Sequence, residues 1–225
     1  MEADLPGAQG RALFAYLCLN RTRSVARDEV MEALWGERLP SAPTVALNAL
    51  LSKLRRVIGV DRLEGRNALR MSLPLDAEVD VEVAQELVHR ARTALAAADP
   101  ARAWTPAHVI LLRGFMPGHE FPWIEQMRRE LDDLLVDALE CAVKAKLGIG
   151  GREVEHADRL ARLLVSRAPY RESGHALLMR VLAARGNIAE ALRVFEELRV
   201  RLRDELGIAP GAAIQEMHRS LLGRA

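Results

Sequence analysis

Apolar residues recur at helical spacing in three segments of the first third of the chain. Residues 10–19 are apolar on nearly all faces, which predicts a buried helix. Residues 27–35 predict a second helix, with acidic residues in its first turn and Gly36 at its end. A third helix is predicted over 44–58, with Ser41 as its cap. Its inward stripe consists of Leu47, Leu51, Leu54 and Ile58.

The opposite side of the third helix is polar and ends in basic residues. Its members are Thr44, Asn48, Ser52, Lys53, Arg55 and Arg56. Short polar side chains let a helix approach base edges, while Lys and Arg neutralise phosphates. The pattern therefore indicates a helix that reads the DNA major groove. The alternative is an ordinary amphipathic helix with a solvated charged face.

A hairpin is predicted directly after this helix, over residues 62–73. Apolar and polar residues alternate from Leu69 to Leu73, and Gly65 and Asn67 are expected to supply the turn. Arg66 and Arg70 place positive charge on this ribbon, either to contact DNA or merely to keep the surface soluble. Two helices, a basic helix and then a β-ribbon follow the order of a winged helix.

The remaining two-thirds predict stacked helices. Apolar residues occur in three pairs that are each 34 positions apart, namely Ala157 and Ala191, Ala161 and Phe195, and Leu164 and Leu198. A 34-residue period with small residues at helix contacts is typical of tetratricopeptide arrays. Residues 99–110 look like an earlier, degenerate copy, and 122–147 predict a long helix. The change in pattern near residues 74–80 predicts two domains, 1–75 and 76–225.

Composition and charge narrow the class of protein. The chain has 225 residues, 50% of them hydrophobic, which excludes a disordered tail. It contains neither an apolar run long enough to span a membrane nor a signal peptide, and only two cysteines, so we expect a soluble, cytoplasmic protein that does not bind membranes. Lys+Arg 32 nearly balance Asp+Glu 31, but residues 1–75 hold 11 basic against 8 acidic side chains. The positive charge is therefore concentrated in the predicted DNA-reading domain.

Motifs for catalysis, metals and cofactors are not apparent. The Gly-rich segment 148–151 lacks the Lys-Ser/Thr of a phosphate loop, and the six histidines show no metal-ligand spacing with either cysteine. Trp35, Trp104 and Trp123 are expected to anchor packing. We therefore predict a non-enzyme without a cofactor or a metal.

The first third resembles a known family. The segments RDEVMEALWG (27–36) and LLSKLRRVIG (50–59) look like the OmpR-type winged helix of the SARP family of bacterial transcriptional activators. The small sheet that usually precedes the first helix in that family is expected to be absent here, or the chain to be a fragment. The resemblance implies that Thr44 and Asn48 face bases. It also implies phosphate or groove contacts for Arg27, Lys53, Arg55, Arg56 and Arg66.

Residues 80–223 are similar to the bacterial transcriptional activator domain that follows the winged helix in that family. The similarity rests on Asp80-Val81 and on the segments 113–114, 122–124, 168–179 and 202–211. The resemblance implies a mainly α protein that binds double-stranded DNA as a homodimer and contacts RNA polymerase. Two alternatives stay open: a protein-interaction module, and a sensory module whose helical array binds a small effector near Arg159, Arg162 and Arg171.

Overall fold

The computed structural model describes residue 5 and residues 7–223, and this part of the chain is mainly helical. The chain forms two compact units, the first unit (Met1–Glu82 and Gly114–Leu131) and the second unit (Val83–Arg113 and Asp132–Ala225). The helices are α1 (Gly7–Leu19), α2 (Arg27–Trp35), α3 (Pro43–Ile58), α4 (Asp80–Ala96), α5 (Ala107–Leu111), α6 (Pro122–Ile149), α7 (Glu153–Arg167), α8 (Glu172–Ala184), α9 (Ile188–Arg201) and α10 (Ala212–Leu222). The strands are β1 (Val25–Ala26), β2 (Leu63–Glu64) and β3 (Ala68–Met71).

The first unit packs three helices against a small antiparallel sheet. Its strand order is β1-β3-β2, so β3 is the central strand, with Val25 opposite Leu69 and Leu63 opposite Met71. The predicted hairpin is present as β2 and β3, whereas β1 was not predicted. The core of the unit consists mainly of leucines, namely Leu13, Leu17, Leu47, Leu51, Leu54, Leu63 and Leu69.

Gly65 allows the turn between β2 and β3. Its φ of 95° lies in the region that L side chains rarely adopt, and a Cβ there would lie 1.8 Å from the backbone oxygen of Ala68. Asn67, the second expected turn residue, does not take a positive φ. Its carbonyl instead accepts a hydrogen bond from the backbone N–H of Arg27 at 3.3 Å. The turn therefore depends on one glycine rather than on two special residues.

The predicted cap of α3 is wrong. The helix begins at Pro43 rather than Thr44, its N-cap is Ala42, and no side chain among the described residues bonds to that cap. Pro43 explains the difference, because proline lacks an N–H and its φ already suits the first helical turn. Ser41 therefore has no capping role.

Residues 114–131 belong to the first unit, which the pattern along the chain did not predict. The Trp123 ring meets the rings of Tyr16 and Phe115 edge to face, with centroids 5.2 and 5.9 Å apart. Ile124 is fully buried in the same core. The Arg128 guanidinium holds the preceding loop by donating to the carbonyl oxygens of Phe115, Met116 and His119 at 3.0, 2.6 and 3.0 Å.

The second unit contains a succession of packed helices. Helices α7, α8 and α9 pack in sequence, and α10 packs on α8 and α9. Every residue of the 34-residue pattern is buried in this core. The long predicted helix is present as α6 and extends to Ile149. The predicted copy at 99–110 is wrong, because only the short α5 is helical there, after Pro106.

The tryptophans differ in their surroundings. Trp123 is an anchor of the first unit's core, and Trp35 packs partly buried against the same core. Trp104, in the second unit, leaves 51% of its surface exposed, so its predicted role as a packing anchor is wrong. Thr105 beside it is buried, and its hydroxyl accepts a hydrogen bond at 3.2 Å from the N–H of Ala107, the first residue of α5.

Two further expectations concern strands ahead of α1 and helices that could span a membrane. The expected absence of strands ahead of α1 falls on residues 1–6, of which all but Leu5 lie outside the described residues. Among the helices that are described, none carries an apolar stretch long enough to cross a membrane.

A partly buried carboxylate links α1 to α2 in the first unit. Glu29 accepts hydrogen bonds from the Tyr16 hydroxyl at 2.7 Å and from Arg23 at 2.9 Å. The Arg23 guanidinium, with a smaller contribution from Tyr16, lowers the pKa of Glu29 to about 2. Burial and the adjacent Glu29 carboxylate raise the pKa of Tyr16 to about 12.

Replacing Glu29 by glutamine is expected to remove part of the acid sensitivity of the first unit. Because the folded pKa is lowered, the ionised carboxylate stabilises the protein fully above its unfolded pKa of about 4.3, and this stabilisation is lost as pH falls toward about 2. Urea unfolding of wild type and Glu29→Gln between pH 7 and pH 2 checks this. The difference between the two free energies of unfolding should shrink below about pH 4.3, and a difference that stays constant with pH would contradict the expectation.

Candidate nucleic-acid interface

The exposed face of α3 carries most of the residues that the sequence singles out. Leu47, Leu51 and Leu54 face the core, which turns the opposite side of the helix to solvent. On that side Thr44, Asn48, Ser52, Lys53 and Arg56 are exposed. The helix contains no Asp or Glu over its 16 residues, and Arg55 and Arg56 occupy its last turn. This surface is therefore polar at its start and positive at its end.

Arg27 joins α2, α3 and the hairpin. Its guanidinium donates to Asn48 Oδ1 at 2.5 Å and to the backbone oxygen of Arg66 at 3.2 Å. Arg27 can only donate, so the Asn48 amide oxygen is the acceptor, and the Asn48 amide nitrogen makes no hydrogen bond with any described residue. The structure thus brings together Arg27, Asn48 and the turn that carries Arg66.

Arg55 is bound to the hairpin rather than extended into solvent. Its Nε donates to the backbone oxygen of Leu63 at 2.9 Å, and its Nη2 donates to that of Gly65 at 3.0 Å. These bonds fix the hairpin against the end of α3. Arg55 is therefore a positioning residue in this structure, a role that residue type and spacing did not indicate.

Replacing Arg55 by alanine is expected to lower the free energy of unfolding by about 1.5–3 kcal/mol, because it removes charged hydrogen bonds to two carbonyls. Arg56→Ala is the matched control, since Arg56 is the exposed neighbour with no hydrogen bond among the described residues. Urea unfolding of the two variants measures the difference. Equal stabilities of the two variants would show that Arg55 does not hold the hairpin.

Four basic side chains of this surface are exposed and make no ion pair with any carboxylate in the described part of the chain. They are Lys53 and Arg56 on α3, and Arg66 and Arg70 on the hairpin. Arg70 lies opposite Glu64 in the strand register, but the two side chains do not form an ion pair. Elsewhere in the first unit arginines do pair, such as Arg21 with Glu82 and Arg23 with Glu29. The four cations are thus available to an anionic partner.

One exposed residue of α3 was missed at the level of sequence. Val45 leaves 67% of its surface in solvent, although it is a large apolar side chain in a well-formed helix. It falls outside both the leucine stripe and the polar set, so periodicity alone gave no reason to select it. The signal that could have found it is its position between Thr44 and Asn48, both expected to face bases.

The arginines considered for an effector site are mostly occupied. Arg162 pairs with Asp158 and Glu190 at 2.8 Å each, and Arg171 pairs with Asp137 and Glu140 at 3.0 and 2.7 Å. Only Arg159 makes no ion pair within the described chain. Neighbouring carboxylates therefore already neutralise two of these three arginines, and an anion at this site would have to compete with those carboxylates.

Titratable clusters suited to metal binding are not found within residues 5 and 7–223. Both cysteines are free and buried, and burial raises the pKa of Cys18 to about 12. The buried ring of His175 has its pKa lowered to about 4 by desolvation. These groups are surrounded by packing residues and offer no arrangement of nucleophile and base in this part of the chain.

Comparison with known proteins identifies relatives along nearly the whole chain. Residues 79–222 match the family model described as the bacterial transcriptional activator domain. The chain is 30% identical over 224 residues to the regulatory protein AfsR of Streptomyces griseus, covering 95% of this chain and 22% of AfsR. It is also 30% identical to the transcriptional regulator RedD of Streptomyces coelicolor, covering 95% of this chain and 64% of RedD. It thus spans only part of the length of these relatives.

A solved structure shares the fold. Mycobacterium tuberculosis EmbR, in complex with a low affinity phosphopeptide, superposes with a TM-score of 0.81 at 23% sequence identity. The match covers 97% of this chain and 60% of the EmbR chain. RedD is named a transcriptional regulator and AfsR a regulatory protein, and the family model covers more than half of the chain. This chain therefore belongs to the bacterial transcriptional activator domain family, and the similarity to AfsR and RedD supports a SARP-type regulator.

Proposed function

We propose that this chain is a sequence-specific DNA-binding regulator of transcription. In this proposal α1–α3 and the hairpin form a winged helix-turn-helix, with α3 in the major groove and the hairpin beside it along the backbone. The observation that carries the proposal is a group of four cations on α3 and the hairpin that make no ion pair with any described residue, next to a polar helix face without any carboxylate. The names of the relatives support the same function.

Three groups of residues are proposed to contribute to DNA recognition in different ways. Lys53, Arg56, Arg66 and Arg70 would neutralise phosphates, which adds affinity without sequence preference. Thr44, Asn48 and Ser52 would meet base edges, where a good contact discriminates by about 1–3 kcal/mol. Arg27 and Arg55 would act mainly through Asn48 and the hairpin, since their guanidinium groups are bonded there.

The helical second unit is proposed to bind a protein partner, either a second copy of the chain or RNA polymerase. Trp104 is half exposed in that unit, and Val109 and Leu112 on and beside α5 are exposed as well. Exposed aromatic and aliphatic side chains are typical anchors of protein interfaces. A protein-interaction module with little DNA binding of its own remains the alternative, and this exposed surface is the observation in its favour.

The test is a selection from random duplex DNA with the purified 225-residue chain, followed by fluorescence anisotropy at low salt. We expect a recurrent sequence to be enriched and to bind more tightly than random duplex. Failure to enrich any sequence, together with affinity weaker than about micromolar at low salt, would reject DNA reading. A stable protein complex that forms without DNA affinity would select the interaction module instead.

A further inference from the structure

Val45 is exposed where a valine is not expected to be. Its side chain is 67% exposed on the first turns of α3, whereas valine is among the residues most often buried. Leu47, only two positions further along, is fully buried in the core. Val45 thus points away from the core for a geometric reason, and packing within the first unit does not account for an apolar residue at this position.

The surroundings of Val45 restrict what could cover it. Thr44 lies beside it, and Asn48 and Ala49, three and four residues later, share its side of the helix and are also exposed. Further along the helix come Lys53 and Arg56, which have no ion-pair partner within the described chain. An apolar spot is therefore flanked by polar side chains and unpaired cations, on a helix without acidic residues. This charge distribution favours a polyanion over an apolar protein surface.

In the major groove of DNA, only one base carries an apolar group. Thymine presents its C5-methyl there, while the other bases present hydrogen-bond donors and acceptors. We propose that Val45 contacts a thymine methyl in the major groove and is thereby a determinant of base specificity, with Ala49 extending the same apolar contact. This inference rests on the proposed function, since it requires α3 to enter the groove. It adds Val45 to the residues proposed to contact bases, and it names thymine as the base that Val45 recognises.

The test removes the thymine methyl from the DNA. In the duplex that the wild-type chain selects, each thymine is replaced in turn by deoxyuridine, which differs only by the C5-methyl. For the wild-type chain, one such replacement is expected to weaken binding about fourfold, the effect of one buried methyl-sized group. For Val45→Ala, the same replacement is expected to change the affinity less than about twofold, because the apolar contact is already missing.

Val60→Ala is the matched control. Val60 is also 67% exposed, but it lies beyond the end of α3, two residues after Ile58. This variant should keep the wild-type sensitivity to uridine, and both variants should unfold in urea like the wild type, because neither valine is packed.

The outcomes separate this inference from the function on which it rests. A chain that selects no DNA rejects the proposed function itself. A chain that selects DNA but tolerates every uridine replacement rejects the thymine contact alone. Uridine sensitivity that persists in Val45→Ala also overturns the assignment to Val45.

Discussion

Replacing Gly65 by alanine is expected to lower the free energy of unfolding of the first unit by about 3 kcal/mol or more. The added Cβ would lie 1.8 Å from the backbone oxygen of Ala68, and the φ of 95° is itself unfavourable for an L side chain. Relief would require the hairpin to open, which would also displace Arg66 and the carbonyls that bind Arg27 and Arg55. We therefore expect stability and DNA affinity to fall together.

Gly118→Ala is the control that measures the cost of the backbone conformation without a steric clash. Gly118 lies in the same unit at a similar φ of 77°, but a Cβ there would meet no described atom within 4 Å. Its cost should be limited to about 1–2 kcal/mol of backbone strain. Urea unfolding of both variants gives the comparison, and equal losses would show that the close approach to Ala68 is unimportant.

Replacing Lys53, Arg56, Arg66 and Arg70 together by alanine is expected to weaken binding to random-sequence duplex DNA on the order of a thousandfold at about 0.1 M salt. Each phosphate contact releases counterions, and four of them contribute to affinity irrespective of base sequence. The stability of the protein should change little, because the four side chains are exposed and unpaired within the described chain. Fluorescence anisotropy measures the affinity.

The control variant removes the same charge from the second unit. Arg152, Arg159, Arg167 and Arg180 are exposed and make no ion pair within the described chain, so replacing them by alanine changes the net charge by the same amount. If this variant lost as much affinity as the first, binding would follow the overall charge of the protein rather than a surface on α3 and the hairpin.

Helix α3 shows how far the sequence could predict the candidate site. Its leucine stripe follows from 3.6-residue periodicity, which is a local property, and the exposed polar side follows with it. The predicted start differed by one residue because Pro43 favours the first helical position more than Ser41 favours a cap. Local patterns therefore located the helix and most of the residues on its face.

Contacts between distant segments were beyond the reach of such patterns. Strand β1 has two residues and exists only because it pairs with β3. The segment around Trp123 joins the first unit through contacts with Tyr16, which lies far earlier in the chain. The hydrogen bonds of Arg55 likewise depend on where the hairpin lies. Residue type at Arg55 suggested a phosphate contact, while the three-dimensional arrangement of the hairpin assigns the guanidinium to two carbonyls.

The salt dependence of DNA affinity is the sharpest test of whether α3 and the hairpin contact DNA phosphates. If α3 and the hairpin contact phosphates through four cations, the logarithm of affinity should fall with the logarithm of salt concentration with a slope of about −3.6 or steeper. The variant that lacks Lys53, Arg56, Arg66 and Arg70 should lose about 3.6 units of that slope, whereas the four-arginine control of the second unit should keep it. A slope near zero for the wild-type chain, or the same slope in the wild type and the four-cation variant, would contradict phosphate contacts by these four residues.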